Sequence, residues 1–256
     1  MQNIIPVVVL VFILILVLAL FKKKKQKTLT GFPSTFRDLL LEHVNFYKQL
    51  NAEKRSVFEN RMQLFLSRVR ITGIQTTVED LDKILIAASA IIPIFGFEDW
   101  EYINLNEVLL YPDNFNHENF AEDDRNTLGV VGTGPYQNIM ILSKRSLRAG
   151  FQDTAGKENV GIHEFVHLID KTDGEVDGIP EFMLNKQFIL PWLQLIRKEM
   201  QQIISNNSDI NPYGTTNQAE FFAVVSEYFF NRPDLLQQHH PELYNLLSTI
   251  FRQQPK

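Results

Sequence analysis

The sequence predicts an α+β domain, predominantly helical with a small β-sheet, preceded by one transmembrane helix. Three observations predict it. Residues 4–21, IIPVVVLVFILILVLALF, run for 18 positions without a charge. Most of the remaining chain places apolar residues at helical spacing. Only two short runs, EVLLY at 107–111 and NIMILS at 138–143, read as strands. Long helices with few strands make a domain in which helices cover a small sheet.

The apolar run comes first. As a helix rising about 1.5 Å per residue, it just spans a hydrocarbon core of about 30 Å. No Lys or Arg precedes it, while Lys22, Lys23, Lys24, Lys25 and Lys27 follow it. A cleavable signal peptide has the reverse order and ends at a small-residue cleavage site. The positive-inside rule therefore predicts a single-pass anchor over residues 1–27 in the inner (cytoplasmic) membrane, N-terminus out, with the body facing the cytoplasm. The lysines can also pair with anionic headgroups. Residues 28–35, TLTGFPST, read as a turn-rich linker, and residues 36–256 as one domain.

Within that domain, Ser34 or Thr35 can cap a helix over residues 36–50. A second helix fits 52–69, with Phe58, Met62, Phe65 and Leu66 on one stripe. A third fits 78–93, opened by Thr77. Residues 113–137 are polar and glycine-rich, and are expected to be mostly loop. That loop is long enough for a lid, with Gly129, Gly132 and Gly134 as its flexible points. Further helices fit 159–170, 181–205, 217–230 and 241–252.

Composition removes several function classes. There is no cysteine, so disulfide scaffolds, cysteine-ligated zinc ribbons and iron–sulfur clusters are excluded. The net charge of −5 includes the five juxtamembrane lysines; residues 28–256 carry 20 basic and 30 acidic residues. A body this acidic repels phosphate backbones, which argues against nucleic acid as a partner.

The chemistry is concentrated in GIHEFVHLID at 161–170. On a helix, His163 and His167 lie one turn apart on one face, so their imidazoles can converge on one cation. Zinc suits two such nitrogens at about 2.0–2.1 Å, and a catalytic site adds one more protein ligand and an open position for water. Glu164, rotated by about 100° from His163, can flank the metal and accept the water's proton. A chance HExxH is expected roughly once in a hundred chains of this composition. The third ligand has several candidates. Asp170 follows His167 by one turn. Glu220 and Glu227, seven apart in YGTTNQAEFFAVVSEYFF at 213–230, share an otherwise apolar helical face where an unpaired carboxylate is costly. Asn217 and Glu220 also match a capping box, which needs no metal. Glu227 has a salt-bridge reading as well.

The pairing of HEFVHLID with YGTTNQAEFFAVVSEYFF resembles the Mlc titration factor A family of zinc-dependent peptidases. The likeness extends from about Phe36 to Phe251 and includes ILIAASAIIPIFG, EVLLYPDNF and GPYQNIMILS. The catalytic core of anthrax lethal factor is similar in the same two segments. The resemblance implies a zincin-type metallopeptidase domain with Zn2+ as cofactor. His163 and His167 match the zinc-binding histidines, Glu164 the catalytic glutamate, and Glu220, in AEFFA, the third ligand. Tyr213 matches a tyrosine placed in lethal factor to stabilise the oxyanion, a role a phenol can fill by donating to the developing charge. Asp170 then becomes a residue that supports a ligand. The family takes its name from binding the repressor Mlc, so a transcription-regulator partner follows from the resemblance alone. The apolar N-terminus departs from that pattern, since the titration factor is regarded as a soluble cytoplasmic protein.

The combined expectation is a membrane-anchored zinc peptidase acting on peptides or proteins, with Glu164 as general base. NIMILS is expected to form a cleft edge to which an extended substrate adds. Three other readings compete. One is a non-catalytic, zinc-containing regulatory protein acting through protein contacts, which would have no need of Glu164. Another is a hydrolase of a non-peptide bond, and the last a helical protein with a chance motif.

Overall fold

The computed structural model describes residues 31–113, 129–131 and 138–255, with backbone only for 129–131. The chain divides into two compact units, Met1–Phe32 and Pro33–Lys256, and the second holds everything that follows. The predicted transmembrane segment lies outside the described residues. Among the described residues, no helix is long and apolar enough to cross a membrane.

The domain opens with α1 (Ser34–His43), α2 (Asn45–Gln49) and α3 (Ala52–Arg68). The predicted helix over 36–50 is broken at Val44, which takes an extended conformation (φ −113°, ψ 96°) and is fully buried. Burying Val44 outweighs continuing the helix. Asn51 caps α3 by accepting the Lys54 N–H, and Phe58 and Met62 are fully buried on the predicted stripe. Strand β1 (Arg70–Gly73) leads to α4 (Asp80–Ile94), which is buried from Ile84 to Ile94. Its N-cap is Glu79 rather than Thr77, because Asp82 accepts the Glu79 N–H and completes a capping box.

Strands β2 (Glu107–Tyr111), β3 (Gly129–Val131) and β4 (Ile139–Ser143) complete a four-stranded sheet of order β1-β2-β4-β3. The first two pairings are parallel and β3–β4 is antiparallel. This corrects the expectation that NIMILS forms a cleft edge. Met140, Ile141 and Leu142 pair with β2 on one side and β3 on the other, so β4 has no free edge there. Strand β3 itself lies inside the predicted loop, while Gly132 and Gly134 fall outside the described residues.

Helix α5 (Lys144–Gln152) was not expected from sequence: only Leu147 of its nine residues is buried, and Ala149, Gly150 and Phe151 are its other non-polar residues. The chain then enters α6 (Val160–Asp170), α7 (Lys186–Ile204), a 3-10 turn at Pro212–Thr215, α8 (Gln218–Asn231), α9 (Pro233–His239) and α10 (Pro241–Phe251). Helix α7 starts at Lys186, later than predicted. Residues 180–184 form a turn in which the Pro180 carbonyl accepts two N–H groups. Helix α6 packs between α4 and α8 and also lies beside β3. Gly161 permits this: a Cβ there would sit 2.2 Å from Ser89 Oγ on α4. Ile162, Phe165, Val166, Leu168 and Ile169 are all essentially buried on α6. At about 1.5–3 kcal/mol each, their burial sets the depth of the helix and of the histidines it carries.

Candidate metal centre

Asn159 caps α6 by accepting the Ile162 N–H, so the helix begins one turn before His163. Asn217 caps α8 by accepting the Glu220 N–H at 2.9 Å. Half of the predicted capping box therefore forms. The Glu220 side chain does not turn back to its own cap; it faces the histidines. His163 Nε2 lies 3.0 Å from Glu220 Oε2, His167 Nε2 lies 3.4 Å from the same oxygen, and the two Nε2 atoms are 3.1 Å apart. Three ligand atoms from residues 57 positions apart thus meet at one point, close enough to share a single ion.

Glu227 is not part of that triplet. Seven residues rise about 10 Å along a helix, too far for both carboxylates of α8 to reach one ion. Glu227 instead meets the opposite nitrogen of His163, with Oε1 2.7 Å from Nδ1, while its Oε2 accepts the Asn159 N–H. A carboxylate on Nδ1 holds the proton there and turns Nε2 toward the cation. Asp170 also stands apart. Its Oδ2 accepts the Gly178 N–H at 2.8 Å. Gly178 (φ +77°) is irreplaceable at this contact, because a Cβ would sit 2.4 Å from the Gln218 carbonyl. Asp170 thereby ties the end of α6 to the loop at Gly178, which lies close against the start of α8. Glu164 is buried beside the triplet. Tyr213 is 53% exposed on its 3-10 turn, with its ring centre 6.1 Å from that of His163.

The sequence profile of the family described as glucose-regulated metallo-peptidase M90 matches residues 19–252. The chain belongs to the M90 family. Its relatives include Mlc titration factor A of Pectobacterium atrosepticum, 29% identical over 206 residues that cover 75% of this chain and 76% of that protein. The same factor from Serratia proteamaculans is 32% identical over 166 residues, covering 59% and 61%. An uncharacterized Synechocystis protein, slr2042, is 29% identical over 235 residues, covering 87% and 85%. The M90 family is a metallopeptidase family, which implies a metal ion, and among the described residues His163, His167 and Glu220 form a group that can hold one.

The electrostatics of the M90 site favour a cation. Burial opposes a charge on His163, but Glu227 and Glu220 outweigh it and push its pKa well above the usual histidine value. Burial likewise works against ionised Glu220, yet the two histidines bring its carboxyl down to about 2. Two imidazole nitrogens and one carboxylate oxygen are also the donor chemistry that zinc accepts. Burial pushes the Glu164 carboxyl up, against the pull of His163 and His167. Burial, then Glu220 and Glu164, push the Tyr213 phenol up, which keeps its proton available to donate. The support given by Glu227 and Asn159 was not resolved from sequence. The seven-residue spacing of the two glutamates was the available signal, but it does not say which nitrogen each one meets.

Proposed function

We propose that this M90 chain is a zinc-dependent peptidase that hydrolyses peptide bonds with Glu164 as general base. The observation that carries the reading is the convergence of His163, His167 and Glu220 beside a buried glutamate that none of the three needs as a fourth ligand. His163, His167 and Glu220 hold the ion, and Glu227 and Asn159 fix the orientation of His163. When bound, zinc supplies a Lewis acid for the scissile carbonyl and makes a neighbouring water more acidic. Glu164 takes the proton of the attacking water and delivers it to the departing amine. Its raised carboxyl pKa suits both steps, since a group matched to working pH can accept and return a proton. Tyr213 donates its phenol hydrogen to the oxyanion, a charge absent from the substrate. An extended substrate adds along β3, which among the described residues pairs on one side only and lies beside α6.

The apolar run at 4–21 and the lysines behind it support a single-pass anchor with the domain facing the cytoplasm. Recovery of the full chain in membranes after an alkaline carbonate wash tests this; full release into the wash overturns it.

The activity is tested on the full chain with a mixed peptide library and zinc analysis. Unmodified protein is expected to hold about one zinc and cleave peptides, as the triplet predicts. Glu164→Gln is expected to keep the zinc and lose about 100-fold or more in turnover, whereas Glu220→Gln loses the zinc. Full retention of turnover in Glu164→Gln overturns the assignment of the base. Zinc binding without cleavage of any peptide favours a non-catalytic regulatory protein.

A further inference from the structure

The segment between α7 and the 3-10 turn leads directly into Tyr213, and its anchors apart from the buried Ile210 are mostly polar. They gather on Asp209. Its Oδ1 lies 2.8 Å from His240 Nε2. Its Oδ2 accepts from Lys157 Nζ at 2.6 Å and Tyr228 OH at 2.8 Å, and lies 2.8 Å from His239 Nδ1. Lys157 Nζ also donates to the Asp209 carbonyl at 2.7 Å. The other nitrogen of His240 lies 2.8 Å from buried Glu199 on α7. One carboxylate thus joins α7, α8, α9, the start of α10 and the approach to α6.

The same short stretch before α6 grips the segment once more, and the segment braces itself. Glu158 accepts from Asn211 Nδ2 at 2.6 Å, and Asn211 Oδ1 accepts the Tyr213 N–H at 2.9 Å. The next residue, Asn159, donates its N–H to the carboxylate that orients His163. Lys157, Glu158 and Asn159 therefore fix the tyrosine segment and His163 to one piece of backbone. Tyr213 is half-exposed on a four-residue turn, while its neighbour Gly214 is buried against α8, so the polar anchors add to that packing.

We propose that Asp209 is a positioning residue that, through Lys157 and the paired histidines, holds the Asn211–Tyr213 turn beside His163. This rests on the reading of the site as a peptidase in which Tyr213 serves the oxyanion. A positioning residue acting only through Tyr213 changes turnover and not metal binding, and its loss disappears once Tyr213 is removed.

The test uses the full zinc-loaded chain in four forms: unmodified, Asp209→Asn, Tyr213→Phe and the double variant. Asp209→Asn is expected to lower kcat about tenfold, leave zinc content unchanged and shift KM less than about twofold. The double variant is expected to turn over no more slowly than Tyr213→Phe alone. Amide hydrogen exchange at residues 210–216 is expected to quicken about tenfold in Asp209→Asn, with α8 unchanged. Losses that multiply in the double variant, or exchange that is unchanged at 210–216, overturn the proposal. Should no form cleave peptides, the peptidase reading fails and the exchange measurement alone decides whether Asp209 fastens the turn. If Asp209→Asn does not fold, Lys157→Met, which removes both lysine contacts to Asp209, takes its place in the same measurements.

Discussion

At the residue scale, His163 is held by carboxylates on both faces of its chemistry, Glu227 at Nδ1 and Glu220 at Nε2. His167 is held differently. Its Nδ1 is buried and has no hydrogen-bond partner among the described residues, and the same is true of Asp170 Oδ1 one turn further on. Asp170 is 1% exposed, and burial lifts its carboxyl from 3.8 to about 6 despite the Gly178 N–H. Between those two values the folded chain binds a proton that the unfolded chain has released. Stability therefore falls as pH rises through this window, and Asp170 costs up to about 3 kcal/mol above it. Asp170→Asn keeps an acceptor for Gly178 and removes the charge. It is expected to raise the melting temperature of the metal-free protein at pH 7.5 and to have little effect at pH 3.5. Calorimetry at the two values checks this, and equal shifts at both would show that the charge is not the cause. His163, His167 and Glu164 were legible in the sequence because four-residue spacing on a helix is itself a geometric statement. Spacing alone left Asp170, Glu220 and Glu227 open, since a helical face specifies direction and leaves the partner across the gap undetermined; the family resemblance is what singled out Glu220.

At the element scale, the site is the contact of two capped helices. Helix α6 supplies both histidines within one turn, and α8 supplies one carboxylate from its first turn and another two turns later. The caps matter because a helix that starts one residue late rotates its side chains by about 100°. Glu227 joins the two elements, taking the Asn159 N–H at the start of α6 and His163 in its next turn. Glu227→Gln is expected to weaken zinc affinity by about 10–100-fold while leaving the helices intact. A competition titration against a chromogenic chelator measures this, with circular dichroism for the fold; unchanged affinity would remove Glu227 from the site. Periodicity indicated α6 and α8 nearly to the residue, because their apolar positions dominate. It missed α5, which buries only Leu147, and β3, which is three residues in a polar stretch, because each draws its order from neighbours. It also joined α1 and α2, because Val44 keeps the apolar spacing while its backbone leaves the helix.

At the scale of the whole molecule, the pieces of the site are far apart in sequence, and two networks bring them together. One is apolar: α6 between α4 and α8, with Phe165 in contact with Phe65 and Tyr102. The other is polar and centres on His240, whose two nitrogens face Glu199 and Asp209. Burial opposes the charge on His240, but those two carboxylates outweigh it and raise its pKa above 6.5. A raised histidine pKa contributes stability that is complete below the unfolded value and lost as pH rises through the folded one. The chain is therefore expected to lose stability as pH climbs from about 6.5 through that higher value. His240→Gln is expected to flatten this part of the curve. Urea unfolding across the range checks it, and an identical slope in the variant would place the dependence elsewhere. The sequence by itself determined a mostly helical domain, a helix with two histidines one turn apart and a glutamate beside the first, and a second helix with two carboxylates on one face. These are local consequences of spacing, capping and apolar periodicity. The family resemblance already pointed to Glu220, and the tertiary structure placed it with the histidines; only the tertiary structure decided that Glu227 meets the other nitrogen of His163, that β4 is interior, and that Asp209 gathers the segment leading to Tyr213. Each of those depends on the distance between elements, which packing sets and no local pattern encodes.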